Sequence, residues 1–216
     1  MNIPTTITEL IQRANALTGL TLSDLATQQN YTLPENFQHH KGWVGQLLEQ
    51  VLGASAGSKA EPDFPNLGVE LKTIPLNAKG KPKESTFVCA ISAIIEPQWQ
   101  GSVVQKKLAH VLWVPIESES DIPERKIHQP ILWQPTAEQL QTLEQDWQEL
   151  TDMLTFGEAD RLTAEYGEAL QVRPKAANSR VVRETVNSES EITKAIPRGF
   201  YLRPSFTEKV LQTPTP

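Results

Sequence analysis

Apolar residues in the first quarter of the chain recur at intervals of three and four, the spacing of one face of a helix. The first stripe follows Thr6 and Glu9, whose separation is that of a capping box, and it ends before Gly19. A second short stripe follows Thr21, and a third follows Gly42. The pattern predicts three helices in this part of the chain.

Beyond residue 60 the apolar positions form short runs and alternations, which are typical of strands. We predict strands at 68–74, 85–94, 111–116, 131–133, 169–173 and 199–203, and helices at about 137–155, 189–195 and 205–212. The first two strands flank a lysine-rich segment and are expected to form a long hairpin with a solvated tip. Strands and helices mix without an internal repeat, so the class is α/β with a mixed sheet.

The composition is that of an ordinary globular protein. The 216 residues are 38% hydrophobic and 21% charged, which suits one domain, built as two lobes of about 1–115 and 116–216. No apolar run reaches about 18 residues, and the first residues lack the pattern of a secretory signal. A single cysteine, Cys89, excludes an internal disulfide. We therefore expect a cytoplasmic protein with a buried thiol and no membrane span.

The net charge of −6 is distributed unevenly along the chain. Residues 171–216 carry eight Lys or Arg and four Asp or Glu, a local charge of +4, which leaves −10 for residues 1–170. Because phosphate binding depends on local positive charge rather than on the average, the acidic total does not exclude a nucleic-acid partner.

The stretch from Asp63 to Lys72, DFPNLGVELK, holds the clearest candidate chemistry. Side chains alternate along a strand, so Glu70 and Lys72 are expected on one face while Val69 and Leu71 point into the core. Two carboxylates beside one ammonium fit a metal-dependent phosphodiesterase, in which Mg²⁺ polarises the phosphate and activates water. The lysine can orient that water or offset the charge that develops on phosphorus.

The spacing alone is weak evidence, since an acid-x-Lys triplet occurs by chance about once or twice in such a chain, on a solvated strand face. Other segments of the chain provide stronger evidence than this triplet. Seven segments occur in order: KGWVGQLLE from Lys41, LGASAGSK from Leu52, LGVELKTIP from Leu67, TFVC from Thr86, VLWVP from Val111, VRPKAAN from Val172 and PRGFYL from Pro197. Together they resemble the MutH family of mismatch-repair endonucleases over nearly the whole chain.

This resemblance implies a restriction-endonuclease-like fold, with a mixed β-sheet flanked by helices and two lobes that form a DNA-binding cleft. It implies a Mg²⁺-dependent endonuclease of double-stranded DNA, with Mn²⁺ as a substitute metal. The family recognises GATC methylated on one strand and nicks the unmethylated strand 5′ of the G. The resemblance further implies a monomer that MutL activates after MutS has detected a mismatch.

The resemblance also implies the roles of residues around the acidic motif. The family's catalytic positions fall on Asp63, Glu70, Lys72, Glu49 and Lys107. Asp63 and Glu70 are expected to be the metal ligands, with the backbone carbonyl of Leu71 as a candidate third ligand. Lys72 matches the catalytic lysine. Glu49 matches an accessory carboxylate, which binds a second metal or positions water. Lys107 matches a basic residue expected to touch the phosphate or arrange the lysine.

For DNA binding the resemblance implies a second group: Lys41, Gly42, Arg173, Pro174, Lys175 and Tyr201. The first two fall where the family contacts the DNA backbone. Arginine can bond guanine through two hydrogen bonds in the major groove. Arg173 and Tyr201 are the candidates to sense the adenine amino group, because methylation exchanges one N–H donor for an apolar methyl.

Two other functions stay open at this point. A type II restriction endonuclease would cut both strands at GATC, which requires two active sites and therefore a dimer or a duplicated fold. A single copy without internal repeats favours nicking by a monomer. A GATC-binding protein without catalysis would not need Asp63, Glu70 and Lys72, so the intact set favours an enzyme.

Overall fold

The computed structural model describes residues 2–34, 42–57, 59, 61–92, 95–158, 161–163, 165–175, 183–186, 192–195 and 197–212. The helices are α1 (Ile7–Asn15), α2 (Leu22–Gln28), α3 (Trp43–Leu52), α4 (Val103–Leu108), α5 (Ala137–Thr155) and α6 (Pro204–Gln212), with a 3-10 helix at Ile122–Glu124. The strands are β1 (Glu70–Leu76), β2 (Thr86–Ala90), β3 (Val111–Glu117), β4 (Ile131–Trp133), β5 (Leu170–Pro174), β6 (Arg183–Val186), β7 (Ile192–Ala195) and β8 (Arg198–Leu202). This mixture confirms the α/β class.

Side-chain caps fix the start of the first two helices. In α1 the Thr6 hydroxyl accepts the Glu9 N–H at 3.1 Å, but the Glu9 carboxylate accepts from the Thr5 N–H instead of closing a capping box. In α2 the box is complete, because Thr21 and Asp24 each accept the other's backbone N–H. Both starts are therefore where the sequence predicts them.

The longest helix, α5, has the bounds that its periodicity predicts. Its residues Leu143, Trp147 and Leu150 are buried, and the Trp147 ring lies 5.9 Å from the ring of Trp99. The spacing of Trp147 is thus that of a core residue, as predicted. Within the described part of the chain, no helix combines the length and apolar character needed to cross a membrane.

The strands form two three-stranded sheets and one two-stranded ribbon. In the first sheet, of order β1-β3-β4, β1 runs parallel to β3 and β3 runs antiparallel to β4. This sheet is mixed, as the fold class requires. The second sheet, of order β2-β8-β5, is antiparallel throughout, and β6 pairs with β7.

The predicted long hairpin of the first two strands is wrong, because β1 pairs with β3 and β2 pairs with β8. A polar turn does follow β1, where the Asn77 N–H donates to the Lys81 carbonyl at 2.9 Å. The pairing ends there, with an isolated bridge between Leu76 and Pro82. In β1 the apolar residues Leu71, Ile74 and Leu76 are buried together with Glu70, which is typical of a strand in a parallel pair rather than in an exposed hairpin.

The predicted helix at 189–195 is also corrected. Residues 192–195 form β7, antiparallel to Arg183–Val186, and residues 189–191 lie outside the described part. Ile192 and Thr193 are β-branched and suit an extended chain. Their pairing partner comes from a stretch that the sequence pattern leaves without an assignment, so local periodicity could not reveal the ribbon.

The chain divides into two compact units that interleave along the sequence. The first comprises 1–84, 106–134 and 208–216, and the second comprises 85–105 and 135–207. The sequence analysis instead divides the chain once, near residue 115. Strand pairing explains the difference. Because β1 pairs with β3, and β3 with β4, these strands belong to the first unit, whereas β2 pairs with β8 and belongs to the second.

Each unit has its own core. In the first, α1, α2 and α3 pack with β1 and β3 around fully buried side chains such as Leu10, Leu47 and Leu112. In the second, α5 packs against β5, and Leu170 of β5 and Leu202 of β8 are fully buried. Cys89 of β2 is buried as well, which confirms its predicted environment.

Candidate active site

A tight turn brings the acidic residues of the DFPNLGVELK motif together. The Phe64 N–H donates to the Val69 carbonyl at 2.9 Å, and the Val69 N–H donates back to the Phe64 carbonyl at 3.3 Å. Gly68 makes the reversal possible, since its φ of 64° is costly for residues with a Cβ. The turn places Asp63 beside the start of β1, although seven positions separate it from Glu70.

The first strand then arranges the side chains as its alternation predicts. Val69 and Leu71 are buried in the core, while Glu70 and Lys72 share the other face. The Leu71 N–H donates to Asp63 Oδ2 at 2.8 Å, so the strand backbone itself holds this carboxylate in place. That face is not solvated, because Glu70 is only 1% exposed.

Glu70 is the centre of a buried ion-pair network. Lys72 Nζ lies 2.5 Å from Glu70 Oε1, and Lys107 Nζ lies 3.0 Å from both carboxylate oxygens. Helix α4 carries Lys107, whose ammonium also donates to the Glu61 carbonyl at 3.3 Å. Two ammonium groups therefore compensate one buried carboxylate, and we call Asp63, Glu70, Lys72 and Lys107 the carboxylate–lysine cluster.

The acids of this region repel one another. Burial and, next, the charge of Glu70 raise the pKa of Asp63. Burial, then the charges of Asp63 and Glu70, likewise raise the pKa of Glu49 on α3. The structure thus brings Glu49 near the cluster, as the sequence predicts.

Such crowding fits a divalent cation, and the available carboxylate oxygens are the hard donors that Mg²⁺ prefers. Among the described residues, no three His, Cys, Asp or Glu are arranged as a ready metal cage. Lys72 and Lys107 contact the Glu70 oxygens instead. The donor set fits Mg²⁺ held through Asp63 and Glu70, with the Leu71 carbonyl as an untested further ligand.

A second cluster of side chains, which includes predicted DNA-binding residues, lies on the antiparallel sheet of the other unit. The rings of Phe87 and Tyr201 meet edge to face at 5.2 Å. The Arg173 guanidinium lies 6.0 Å from the Tyr201 ring centroid, and Lys175 Nζ lies 4.7 Å from the Phe87 centroid. A cation is attracted to the face of a nearby aromatic ring. We call these four residues the aromatic–cation cluster.

The sheet supplies the room that this cluster needs. Gly199 of β8 pairs with Arg173 of β5, and a Cβ at Gly199 would lie 2.8 Å from the Phe87 ring. A bulge at Val88 shifts the register of β2 against β8. Bulges re-aim neighbouring side chains, and here the shift leaves Phe87 opposite Tyr201.

Known proteins share these sequence features. The MutH model, described as DNA mismatch repair enzyme MutH, matches residues 52–146. A DNA mismatch repair protein MutH of Shewanella sp. (strain W3-18-1) is 48% identical over 212 residues, which covers 96% of this chain and 95% of the relative. The protein of that name in Vibrio parahaemolyticus serotype O3:K6 is 47% identical, with 96% and 94% covered. The chain belongs to the MutH family.

The similarity to MutH proteins extends over the residues of both clusters. The model match includes Asp63, Glu70, Lys72 and Lys107, and the similarity to the relatives spans nearly the whole chain. The recognition made from the sequence is therefore confirmed. The mixed α/β fold is consistent with the restriction-endonuclease-like architecture of the MutH family.

The remaining predicted DNA contacts are placed only in part. Gly42 is the exposed N-cap of α3, with open space where a side chain would point, whereas Lys41 lies outside the described residues. Pro174 is exposed at the end of β5, between Arg173 and Lys175. The DNA contacts of these residues stay predictions for this MutH family member.

Sequence reasoning missed Ser85, whose hydroxyl oxygen contacts Arg173, and Gln171, which contacts the same oxygen. Gln171 Nε2 and Arg173 Nη1 both donate to Ser85 Oγ, each at 2.9 Å. Phe87 was also missed as the partner of Tyr201. The alternation of Gln171 and Arg173 on one strand face was a usable signal, but Ser85 and Phe87 join them only through strand pairing.

Proposed function

We propose that this chain is a Mg²⁺-dependent endonuclease of DNA mismatch repair that nicks the unmethylated strand 5′ of GATC in hemimethylated DNA. The observation that carries the proposal is the carboxylate–lysine cluster. Asp63 and Glu70 converge from a tight turn and a strand, and two half-buried ammonium groups contact the buried Glu70 carboxylate. Buried charge of this kind costs stability, and functional sites are where such arrangements concentrate.

In this proposal Asp63 and Glu70 hold the metal. When bound, Mg²⁺ would polarise the scissile phosphate and lower the pKa of an attacking water. Lys72 lies on the same strand face as Glu70, so its ammonium can orient the water or offset charge on the phosphate. Lys107 stays tethered to the Glu61 carbonyl and keeps positive charge beside Glu70 when Lys72 turns toward DNA.

Glu49 serves as the accessory carboxylate of the site. It is half-buried on α3, and the neighbouring acids already raise its pKa. A second metal, or a water that Glu49 orients, would relieve that repulsion. Mn²⁺ offers the same preference for oxygen ligands and is expected to replace Mg²⁺.

The aromatic–cation cluster supplies the sequence recognition in this proposal. Arg173 is exposed and presents a planar fork of donors, which suits the O6 and N7 acceptors of guanine. Burial raises the pKa of the Tyr201 hydroxyl, so it stays protonated and can donate to a base. Lys175, with Lys41 and Gly42, would contact phosphates.

The partners of this reaction follow from family membership and are also proposals. We propose double-stranded DNA with a hemimethylated GATC as the substrate and MutL as the activator, with MutS acting through MutL. A sequence without internal repeats, together with one carboxylate–lysine cluster among the described residues, suits nicking by a monomer.

A strand-resolved nicking assay tests the proposal. The chain would be incubated with Mg²⁺ and a GATC duplex carrying one methylated adenine, each strand bearing a different label, with and without MutL and ATP. Asp63→Asn removes a metal ligand, and Asp121→Asn is the matched control, because Asp121 is exposed in the same unit.

We expect cleavage of the unmethylated strand alone, abolished in Asp63→Asn and kept in Asp121→Asn. Cleavage of both strands would identify a restriction-type enzyme instead. Tight GATC binding without cleavage under any metal or partner condition would leave a binding protein and refute the proposed activity.

A further inference from the structure

The Ser85 hydroxyl joins two residues of the opposite edge strand. Its oxygen accepts hydrogen bonds from Gln171 Nε2 and Arg173 Nη1, both at 2.9 Å. A hydroxyl oxygen has two lone pairs, so these two donors use its full acceptor capacity. Since β8 lies between β2 and β5, the contact spans the width of the sheet.

The two donors differ in what they need from this oxygen. Gln171 is buried, with 4% of its surface exposed, and its amide pins Ser85 to the sheet. Arg173 is exposed, so its long side chain would otherwise sample many rotamers in water. The hydrogen bond to the Ser85 oxygen and the Tyr201 ring, 6.0 Å away, together restrict where the guanidinium can lie.

We propose that Ser85 is a positioning residue for sequence recognition, which holds the Arg173 guanidinium in the orientation that reads a base. The inference rests on the proposed function, because it assumes that Arg173 contacts DNA. Ser85 occupies one of the five N–H groups of the guanidinium and leaves the others to form the paired bonds that guanine accepts.

This role differs from simple support of the sheet. Gln171 alone would suffice to attach Ser85 to β5, and the β2-β8-β5 ladder already holds the strands. A purely structural Ser85 would affect binding to every DNA sequence equally. A positioning Ser85 affects the discrimination between sequences, because a loosely held arginine still attracts phosphates but pairs poorly with a base.

The test compares four variants with the wild-type chain in equilibrium binding to two duplexes of equal length, one with a single GATC and one with the same bases scrambled. EDTA is present to prevent cleavage. Ser85→Ala removes the shared acceptor, Ser85→Thr keeps it, and Arg173→Ala removes the residue that Ser85 is proposed to hold. The double variant Ser85→Ala/Arg173→Ala completes a thermodynamic cycle.

We expect Ser85→Ala to lower the ratio of specific to scrambled affinity roughly tenfold, with scrambled binding nearly unchanged, because a good paired contact contributes a discrimination of that order. Ser85→Thr should restore the ratio. The double variant should discriminate no worse than Arg173→Ala alone, since Ser85 acts through Arg173.

Three results would overturn the inference. A ratio unchanged in Ser85→Ala, or affinities that fall equally on both duplexes, would remove the positioning role while the proposed function stands. Losses that add in the double variant would show that Ser85 acts independently of Arg173. A wild-type chain without any GATC preference would refute the proposed recognition itself, and the role of Ser85 with it.

Discussion

The two functional clusters hold their charges in opposite ways. In the carboxylate–lysine cluster Glu70, the centre of the network, is 1% exposed, and Asp63, Lys72 and Lys107 around it are half-buried. In the aromatic–cation cluster Arg173 and Lys175 are exposed, and their partners are rings and a hydroxyl rather than acids. The first arrangement shifts the pKa values of its acids and lowers the stability of the fold. The second restricts the orientation of the two cationic side chains at a small electrostatic cost.

This difference separates two requirements of a sequence-directed nuclease. Chemistry on a phosphodiester needs concentrated charge in a region of low dielectric, where electrostatic effects are strong. Recognition of a base sequence needs solvent-exposed hydrogen-bond donors whose side chains become ordered when they contact a base. Variants of the first cluster should therefore change stability together with activity, and variants of the second should change binding with little effect on folding.

The largest effect is expected from Asp63→Asn. Loss of this proposed metal ligand should lower Mg²⁺-dependent nicking by roughly 10³-fold or more. The folded protein without metal should instead become more stable at neutral pH, because burial and Glu70 raise the pKa of Asp63. Asparagine keeps an oxygen that can accept the Leu71 N–H. Nicking rates and thermal unfolding of the same samples measure both effects.

The pH dependence of this stability gain has a defined sign. A carboxyl whose pKa is raised on folding binds its proton more tightly in the folded state, so the folded protein loses stability as pH rises above the ordinary value of 3.8. The advantage of Asp63→Asn should thus be absent in acid and grow through the window between the ordinary and the raised pKa. An advantage that grows toward acid pH would contradict the repulsion.

Glu70→Gln should destabilise the fold by about 3 kcal/mol, because the half-buried ammonium groups of Lys72 and Lys107 lose the buried carboxylate that both contact. Denaturant unfolding measures the change. Adding Lys107→Met to the variant should recover part of the loss. The control is Glu119→Gln, whose partner Lys83 lies 3.7 Å away on the surface and whose loss should cost less than about 1 kcal/mol. Equal effects of the two glutamines would refute the burial argument.

Asp146→Ala tests the scaffold of the second cluster. The buried Asp146 carboxylate accepts the N–H groups of Glu168, Ala169 and Leu170 at 2.6 to 2.9 Å, where β5 begins. Its removal leaves backbone donors unpaired, so we expect a loss of about 2 kcal/mol in the free energy of unfolding. Asp152→Ala, an exposed change on the same helix, should cost little. A similar loss in both would show that the carboxylate is not the anchor.

Local sequence patterns predict local structure well in this chain. Helix α5 has its predicted bounds because its cap and its apolar period are both contained in the segment. The shared face of Glu70 and Lys72 follows from strand alternation in the same way. Gly68 marks a limit of such patterns, since they place it in the first strand, at 68–74, whereas it lies in the turn that brings Asp63 back to β1.

Pairing between distant strands is what the sequence does not reveal. The long hairpin was wrong because β1 and β2 each pair with a strand far along the chain. The same reason hides Ser85, whose partners lie 86 and 88 positions away. Lys107 was found through the family resemblance, whereas its contact with Glu70, 37 positions away, depends on the fold.

The smallest effect is expected from Lys175→Gln, and it separates the two cations of the aromatic–cation cluster. Lys175 is exposed and lies over Phe87, so its charge is available to phosphates of any sequence. Its loss should weaken specific and scrambled duplexes equally and reduce the slope of log affinity against log salt by about one. Arg173→Gln should mainly reduce specificity, and Lys175→Arg should keep the wild-type slope. Salt titrations of both duplexes measure these quantities. A loss of specificity in Lys175→Gln would mean that Arg173 and Lys175 recognise the base sequence together. Their contacts with the aromatic rings, rather than their charges alone, would then determine what each residue binds.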